Sequence, residues 1–212
     1  MDFAAFSDLH SNYPALLRLW DTLRELGLTD RPVLNAGDNV AYGDDPEQCV
    51  RFLRANPDIL NVRGNYDKTV AHFPEKAEKF RKAWGEDRPQ KLAAIAADSA
   101  RISDESRQWL SSLPKEMHVT LSGHRIILTH YAPGVKEGLG PWTSDQRLIE
   151  LASKAHADVV VCGHTHIPFV RPAGGVLFVN PGTVGKPWNG EMTYAVLSLE
   201  PGSPARAELR LL

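Results

Sequence analysis

Cysteine is nearly absent from this chain, with two in 212 residues, Cys49 and Cys162. Two cysteines cannot build a disulfide framework. No apolar run approaches the ~20 residues a membrane span needs. Met1-Asp2-Phe3 leads straight into a short apolar segment, so a secretion leader with a basic head and a long apolar stretch is not read here. Charge of one sign is also lacking: 24 Lys and Arg face 26 Asp and Glu. A sequence-independent grip on nucleic acid, which needs a basic stripe, is therefore not expected. Internal repeats and low-complexity linkers are missing too. Together these absences predict a cytoplasmic protein with no membrane partner. Its oligomeric state cannot be read from sequence.

At 42% hydrophobic, residues 1–212 can bury a full core, and a single domain is expected. The first half alternates strand and helix: Phe3–Phe6, a helix opened by Pro14 and capped by Asn12, Pro32–Asn35, a helix opened by Pro46, and Ile59–Val62. Leu16, Trp20, Leu23 and Leu26 mark the apolar face of the first helix. This βαβαβ order predicts parallel pairing. Residues 67–114 read as mainly helical, with Ser103 capping the last stretch. Their charge runs read as solvated helix faces or as a roof over a site. The second half is strand-rich. Ser122-Gly123-His124 and Gly174-Gly175 read as hairpin turns, and Thr143 with Gln146 as a capping box ahead of Leu148 and Leu151. The fold class expected is α/β, with two mixed sheets packed face to face and flanked by helices.

Five short segments carry metal-binding side chains, and nearly all of them end an apolar strand. They are Asp8-Leu9-His10, Gly37-Asp38-Asn39, Gly64-Asn65-Tyr66-Asp67, Thr129-His130 and Gly163-His164-Thr165-His166. Strand ends converge on one sheet edge, where crevices form. Strand alternation would turn Asp8 and His10 to the same side. Taken singly, Asp38 also reads as a turn cap, Asn65 as a left-handed turn residue and His130 as a structural histidine. His164 and His166, two apart after a buried strand and a glycine, have few readings besides metal. Two Asp, one Asn and four His exceed one ordinary site and suit two ions. Cys162 adjoins the last segment but ends a continuous apolar run, and reads as core.

The five segments together resemble the calcineurin-like metallophosphoesterase family, from Met1 to about Gly185. Small bacterial and archaeal members share the segments seen here at Ser7–Asn12, Gly37–Gly43 and Asn180–Gly182. The resemblance implies a four-layer fold of two sheets between helices. It implies a first ion on Asp8, His10 and His166, a second on Asn65, His130 and His164, and Asp38 bridging them. Two divalent ions are then the cofactors: manganese first, with iron, zinc, nickel, cobalt or magnesium as alternatives. The implied reaction is hydrolysis of a phosphodiester or phosphomonoester, on a small molecule or nucleotide, by a hydroxide held between the ions. The rival reading is a binding scaffold of the same fold with little or no catalysis.

One position departs from the family. Where many members carry histidine after the Asn, this chain has Tyr66. A phenol with an ordinary pKa near ~10 is a poor general acid at neutral pH, though it still donates a hydrogen bond. Asp38, Asn65 and Tyr66 are the catalytic candidates. Asp67, deprived of its histidine, reads as a helix cap. Asn12, Asn39, Tyr66 and Tyr131 are substrate-contact candidates, with Tyr42 and Lys186 behind them, Lys186 reading also as an exposed loop residue. His72 is a candidate substitute acid. His124 and His156 read as solvated, and His118 has no evident task.

Overall fold

A computed structural model describes residues 1–212. The chain runs β1 (Asp2–Phe6), α1 (Tyr13–Glu25), β2 (Val33–Asn35), α2 (Pro46–Ala55), β3 (Ile59–Asn61), α3 (Asn65–Ala71), α4 (Phe73–Trp84), α5 (Pro89–Arg101) and α6 (Asp104–Ser112). It continues as β4 (Glu116–Leu121), β5 (His124–Thr129), α7 (Asp145–Ala155), β6 (Val159–Val161), β7 (Phe169–Ala173), β8 (Val176–Asn180), β9 (Thr193–Ser198) and β10 (Arg206–Leu211).

Alternation along β1 divides its side chains between two cores. Ala4 and Phe6 pack with Leu16, Leu19 and Leu23 of α1 and with Cys49 and Leu53 of α2. Phe3 and Ala5 face the other way, toward Ile126, Leu128, Val159, Val161 and Val179 of the second sheet. Behind that sheet, Ile127, Val160 and Phe178 meet Leu148, Leu151 and Ala152 of α7. The layers are therefore helix, sheet, sheet, helix, as expected. Phe6→Ala would remove a fully buried ring, a change that costs about 3–5 kcal/mol in such cores.

Both sheets have five strands and both are mixed. One has the order β10-β9-β1-β2-β3, the other β4-β5-β6-β8-β7. The pairs β1/β2 and β2/β3 are parallel, as are β5/β6 and β6/β8. Parallel strands point their C-terminal ends at one edge, and in both sheets that edge carries the chemistry-bearing loops. No helix is long and apolar enough to cross a membrane.

Several local expectations are corrected. Leu26 is 46% exposed, and Leu19 takes its place on the buried face of α1. The helix before β6 is capped by Ser144, whose side chain accepts from the Arg147 amide. Thr143 instead accepts from the Gly140 amide. The hairpin turn is Ser122-Gly123 alone, both residues left-handed (φ 47° and 80°) as a two-residue turn requires. His124 already belongs to β5 and is buried, its Nε2 donating to the Ser203 carbonyl at 2.9 Å. A strand-rich neighbourhood covers it where a free turn would have left it in water. His118 and His156 are exposed.

The helices α3, α5 and α6 close a fourth core. Val70, Ala71, Ile95, Ile102 and Leu110 pack on Val40 and Ala41 of the loop after β2 and on Val50 of α2. The helical stretch is thus fastened to a ligand-bearing loop.

Candidate metal centre

The loops after β1 and β2 extend the parallel ladder beyond the strands. The Asp8 amide donates to the Gly37 carbonyl at 2.9 Å, His10 to Asp38 at 3.0 Å and Ser11 to Asn39 at 3.0 Å. This zipper sets Asp8 and His10 beside Asp38. Strand alternation is not the device. Asp8 (φ 55°), His10 (φ 49°), Asp38 (φ 57°), His164 (φ 74°) and His166 (φ 60°) are all left-handed. Ser11, Ala41 and Tyr42, in the same loops, are left-handed as well. Non-glycine residues adopt this region rarely and at some cost, and they gather where surrounding contacts force them. Here the forced turns re-aim donors that a strand would have pointed along the sheet.

Seven donors from the five segments meet in two groups. In the first, Asp8, His10 and His166 offer ligand atoms all within 4.8 Å of one another. His10 Nε2 and His166 Nε2 are 3.0 Å apart, and Asp8 Oδ1 lies 3.2 Å from His166 Nε2. In the second, Asp38, His130 and His164 gather equally closely. His130 Nε2 is 3.2 Å from Asp38 Oδ2 and 3.3 Å from Asn65 Oδ1. Asp8, His10, Asp38 and His130 are each no more than 1% exposed.

These donors fit divalent ions. Asp8 Oδ1 is buried and accepts no hydrogen bond, a costly state for a carboxylate oxygen unless something else binds it. His130 Nδ1 faces the Ala36 carbonyl at 2.8 Å and His166 Nδ1 the Lys186 carbonyl at 2.9 Å. A carbonyl only accepts, so Nδ1 donates in both rings. When neutral, each ring then presents the Nε2 lone pair to the cluster. Around an ion bound at about 2.0–2.2 Å, donor atoms sit roughly 3 Å apart; the His10–His166, Asp8–His166 and Asp38–His130 pairs lie at 3.0, 3.2 and 3.2 Å, and Asp8–His10 at 3.7 Å.

Electrostatics tune the same groups. Burial holds the His10 and His164 imidazoles down to about 4, so both are neutral at pH 7. Burial would lower His130 too, but the Asp38 carboxylate beside it wins and raises it to about 9. Asp8 is buried, yet His166 and the other imidazoles hold its carboxyl well below the usual range.

Residues 1–202 match the calcineurin-like phosphoesterase superfamily domain. The chain belongs to that superfamily. It is 30% identical over 205 residues to uncharacterized protein MJ0912 of Methanocaldococcus jannaschii, covering 88% of this chain and 77% of that one. Two solved structures share the fold. Hypothetical protein PH1004 of Pyrococcus horikoshii superposes with TM-score 0.84 at 17% identity, over 100% of this chain and 87% of that one. A metallophosphoesterase from Sphaerobacter thermophilus gives 0.74 at 24% identity, over 100% and 88%.

Within this phosphoesterase-superfamily chain, the remaining candidates divide. Tyr131 donates to Asn65 Oδ1 at 2.8 Å, and its ring lies 4.3 Å from that of His164 at a tilt of 48°. The Tyr66 amide donates to Asp38 Oδ1 at 2.7 Å, and its hydroxyl shares a 2.8 Å bond with Tyr42. Burial and the Tyr42 partner raise the Tyr66 phenol above its ordinary pKa. Lys186 is half-buried rather than free in a loop, its ammonium 3.1 Å from the centre of the Tyr42 ring. Asn12 caps α1 through Oδ1 and donates to the Gly185 carbonyl. Asn39 is fully buried, accepting from Asn35 and donating to Asp67. His72 lies half-buried between α3 and α4, 3.6 Å from Glu75.

Other residues hold the donor loops, and of these Asp98 lies outside the motif segments. Asp67 caps α3 through the Gly64 amide, but it also accepts from the amides of Asp38 (3.0 Å) and Asn39 (2.8 Å). It therefore clamps the loop that carries Asp38. Burial and the neighbouring Asp38 charge push its carboxyl up, while the N–H donors pull it back. Asp98 of α5 accepts from the Ser11 hydroxyl and the Ala41 amide, locking two left-handed residues. Asn180 holds the His164 loop through the Gly163 carbonyl and Thr165. Gly64 and Gly163 leave no room for a Cβ, which would strike Asp38 Oδ1 and Ser7 Oγ respectively.

Proposed function

We propose that this chain is a dinuclear metal-dependent phosphoesterase acting on a phosphodiester or phosphomonoester. The observation that carries the reading is the pairing of two buried donor groups with an orphaned Asp8 Oδ1 and two imidazoles locked to present Nε2. Asp8, His10 and His166 would hold one ion; Asn65, His130 and His164 would hold the other, with Asp38 shared. Manganese is the metal we favour, with iron, zinc or nickel beside it, since mixed oxygen and imidazole donors suit these ions better than a thiolate-preferring one. When bound, such a pair supplies Lewis acidity toward phosphate oxygens and a water acidified toward neutrality.

The chain's own residues do the rest. Tyr131 keeps the Asn65 amide turned with its oxygen toward His130. Tyr66, whose hydroxyl can accept from Tyr42, offers its own proton to a phosphate oxygen as negative charge grows there. A water oxygen bonds to phosphorus, the bond to the leaving oxygen breaks, and the leaving oxygen takes up a proton. No covalent enzyme intermediate is required. Both thiols are buried and free, and burial pushes the Cys162 thiol up to about 12. Free buried thiols suit a reducing compartment, and we place the protein in the cytoplasm, working as one domain with residues 67–114 walling the site.

The test is hydrolysis of bis(p-nitrophenyl) phosphate and p-nitrophenyl phosphate with added Mn²⁺ at several pH values, alongside elemental analysis. Turnover with two ions per chain is expected. Failure to bind any ion at saturating Mn²⁺ would sink the reading. Two bound ions without turnover of any phosphoester would leave the scaffold alternative in its place.

A further inference from the structure

A cleft of about 750 Å³ opens beside the second donor group, lined by Asn65 and His130 of that group and by Tyr131. Its walls carry six cations: Arg63, Lys68, Lys76, Lys79, Lys115 and Lys136. In a chain of net charge −2 this local excess is uncharacteristic. None of the six has a carboxylate partner, whereas Arg81 and Lys82 of the same α4 pair with Glu78. The one acid lining the cleft, Glu116, is engaged with His118. Lys68 feels its neighbours: burial first, then the Arg63, Lys115 and Lys76 charges lower its pKa. Like charges held together without counter-ions favour a multiply charged anion. The cleft also has an aromatic wall. Phe80 and Trp84 line it, stacked 5.1 Å apart and within 4° of parallel.

We propose that this cleft selects a nucleoside phosphate bearing at least one phosphate beyond the one attacked. The extra phosphates lie among the lysines and the base packs against the open rim of the Phe80–Trp84 pair, whose ring faces are taken by Phe73, by each other and by the Lys91 ammonium. Lysine ammoniums serve phosphates as point charges, and an aromatic rim meets a second ring edge to face. The volume suits a single nucleotide-sized ligand, within the usual range for small-molecule sites. The proposal rests on the phosphoesterase reading for which phosphate is cleaved, but the cleft can be tested apart from turnover.

The experiment titrates Mn²⁺-loaded protein with adenosine 5′-(β,γ-methylene)triphosphate, with tripolyphosphate, and with a ten-nucleotide single-stranded RNA, by calorimetry. The double charge reversal K76E/K79E is expected to weaken both triphosphates roughly 10- to 100-fold. Trp84→Ala is expected to weaken the nucleotide roughly tenfold and tripolyphosphate hardly at all. In kinetics, K76E/K79E should lower kcat/KM for ATP relative to bis(p-nitrophenyl) phosphate by the same factor. An unchanged ratio, or tripolyphosphate binding as well as the nucleotide, overturns the proposal. RNA binding tighter than the nucleotide overturns it in favour of a strand. Loss of diester hydrolysis with nucleotide binding intact would instead fault the catalytic reading alone.

Discussion

The two sheets contribute unequally to the donor cluster. The loops that follow β1, β2 and β3 give both carboxylates, the amide and one imidazole: Asp8, His10, Asp38 and Asn65. The loops after β5 and β6 give only imidazoles: His130, His164 and His166. Yet each group of donors draws on both sheets. The first sheet's loops are zipped to one another by backbone bonds and clamped by Asp67 and Asp98. The second sheet's donors are tied across, through His130 to the Ala36 carbonyl and the His164 amide to Asp8 Oδ2. One sheet supplies a preorganised acidic floor and the other a set of imidazoles that complete it only when the inter-sheet core is docked. Metal binding would therefore report on sheet packing.

The largest way to break this asymmetry is at the residue proposed to serve both groups. Asp38→Asn should cost both ions and reduce turnover roughly 10²–10³-fold or more. Full activity with two ions in that variant would refute the shared role. A sharper cut takes one imidazole at a time from the second sheet. His166→Ala should leave one ion per chain at the second group, and His164→Ala one at the first. Equal loss of both ions in each variant, read by elemental analysis, would show that the groups are not separable. Asp67→Asn swaps an acceptor for a donor that faces amide N–H groups. A fall of about 10–100-fold in metal affinity or activity is expected, the usual cost of disturbing a residue behind the ligands. Unaltered metal titration would mean that the Asp38 loop holds itself.

The smallest effect is expected at Tyr66. Its hydroxyl is bonded to Tyr42 and its pKa is raised, so it should contribute less than the ~10²–10⁴-fold of a working general acid. Tyr66→Phe should therefore slow hydrolysis less than about tenfold. Both forms should show log rate falling steeply with leaving-group pKa across substituted phenyl phosphodiesters. A flat plot for the wild-type protein would mean that another residue protonates the leaving group.

Much of this was legible in the residues. The βαβαβ half, the two-sheet architecture and the convergence of the motif donors on one edge follow from hydrophobic period and from the rule that parallel strands end together. The device that aims the donors was not. Alternation was a sound inference for Asp8 and His10, but the strand stops at Phe6 and left-handed turns take over. Asp67 read as a cap because capping is local, while its hold on Asp38 depends on a loop 29 residues away. Asp98 lies 87 residues from Ser11 and carries no motif. The lysines of α4 were read as a solvated face, which their spacing permits. Only the approach of β4 and the Tyr131 loop turns that face into a wall.

From the sequence alone came which side chains could bind metal, and on which strand ends they ride, because periodicity and residue type are local properties. Which donors share a group, which turns re-aim them and where unpaired cations gather were decided by the tertiary structure. These depend on distances between segments far apart in the chain, and packing fixes those distances only when two sheets and their helices close on one another.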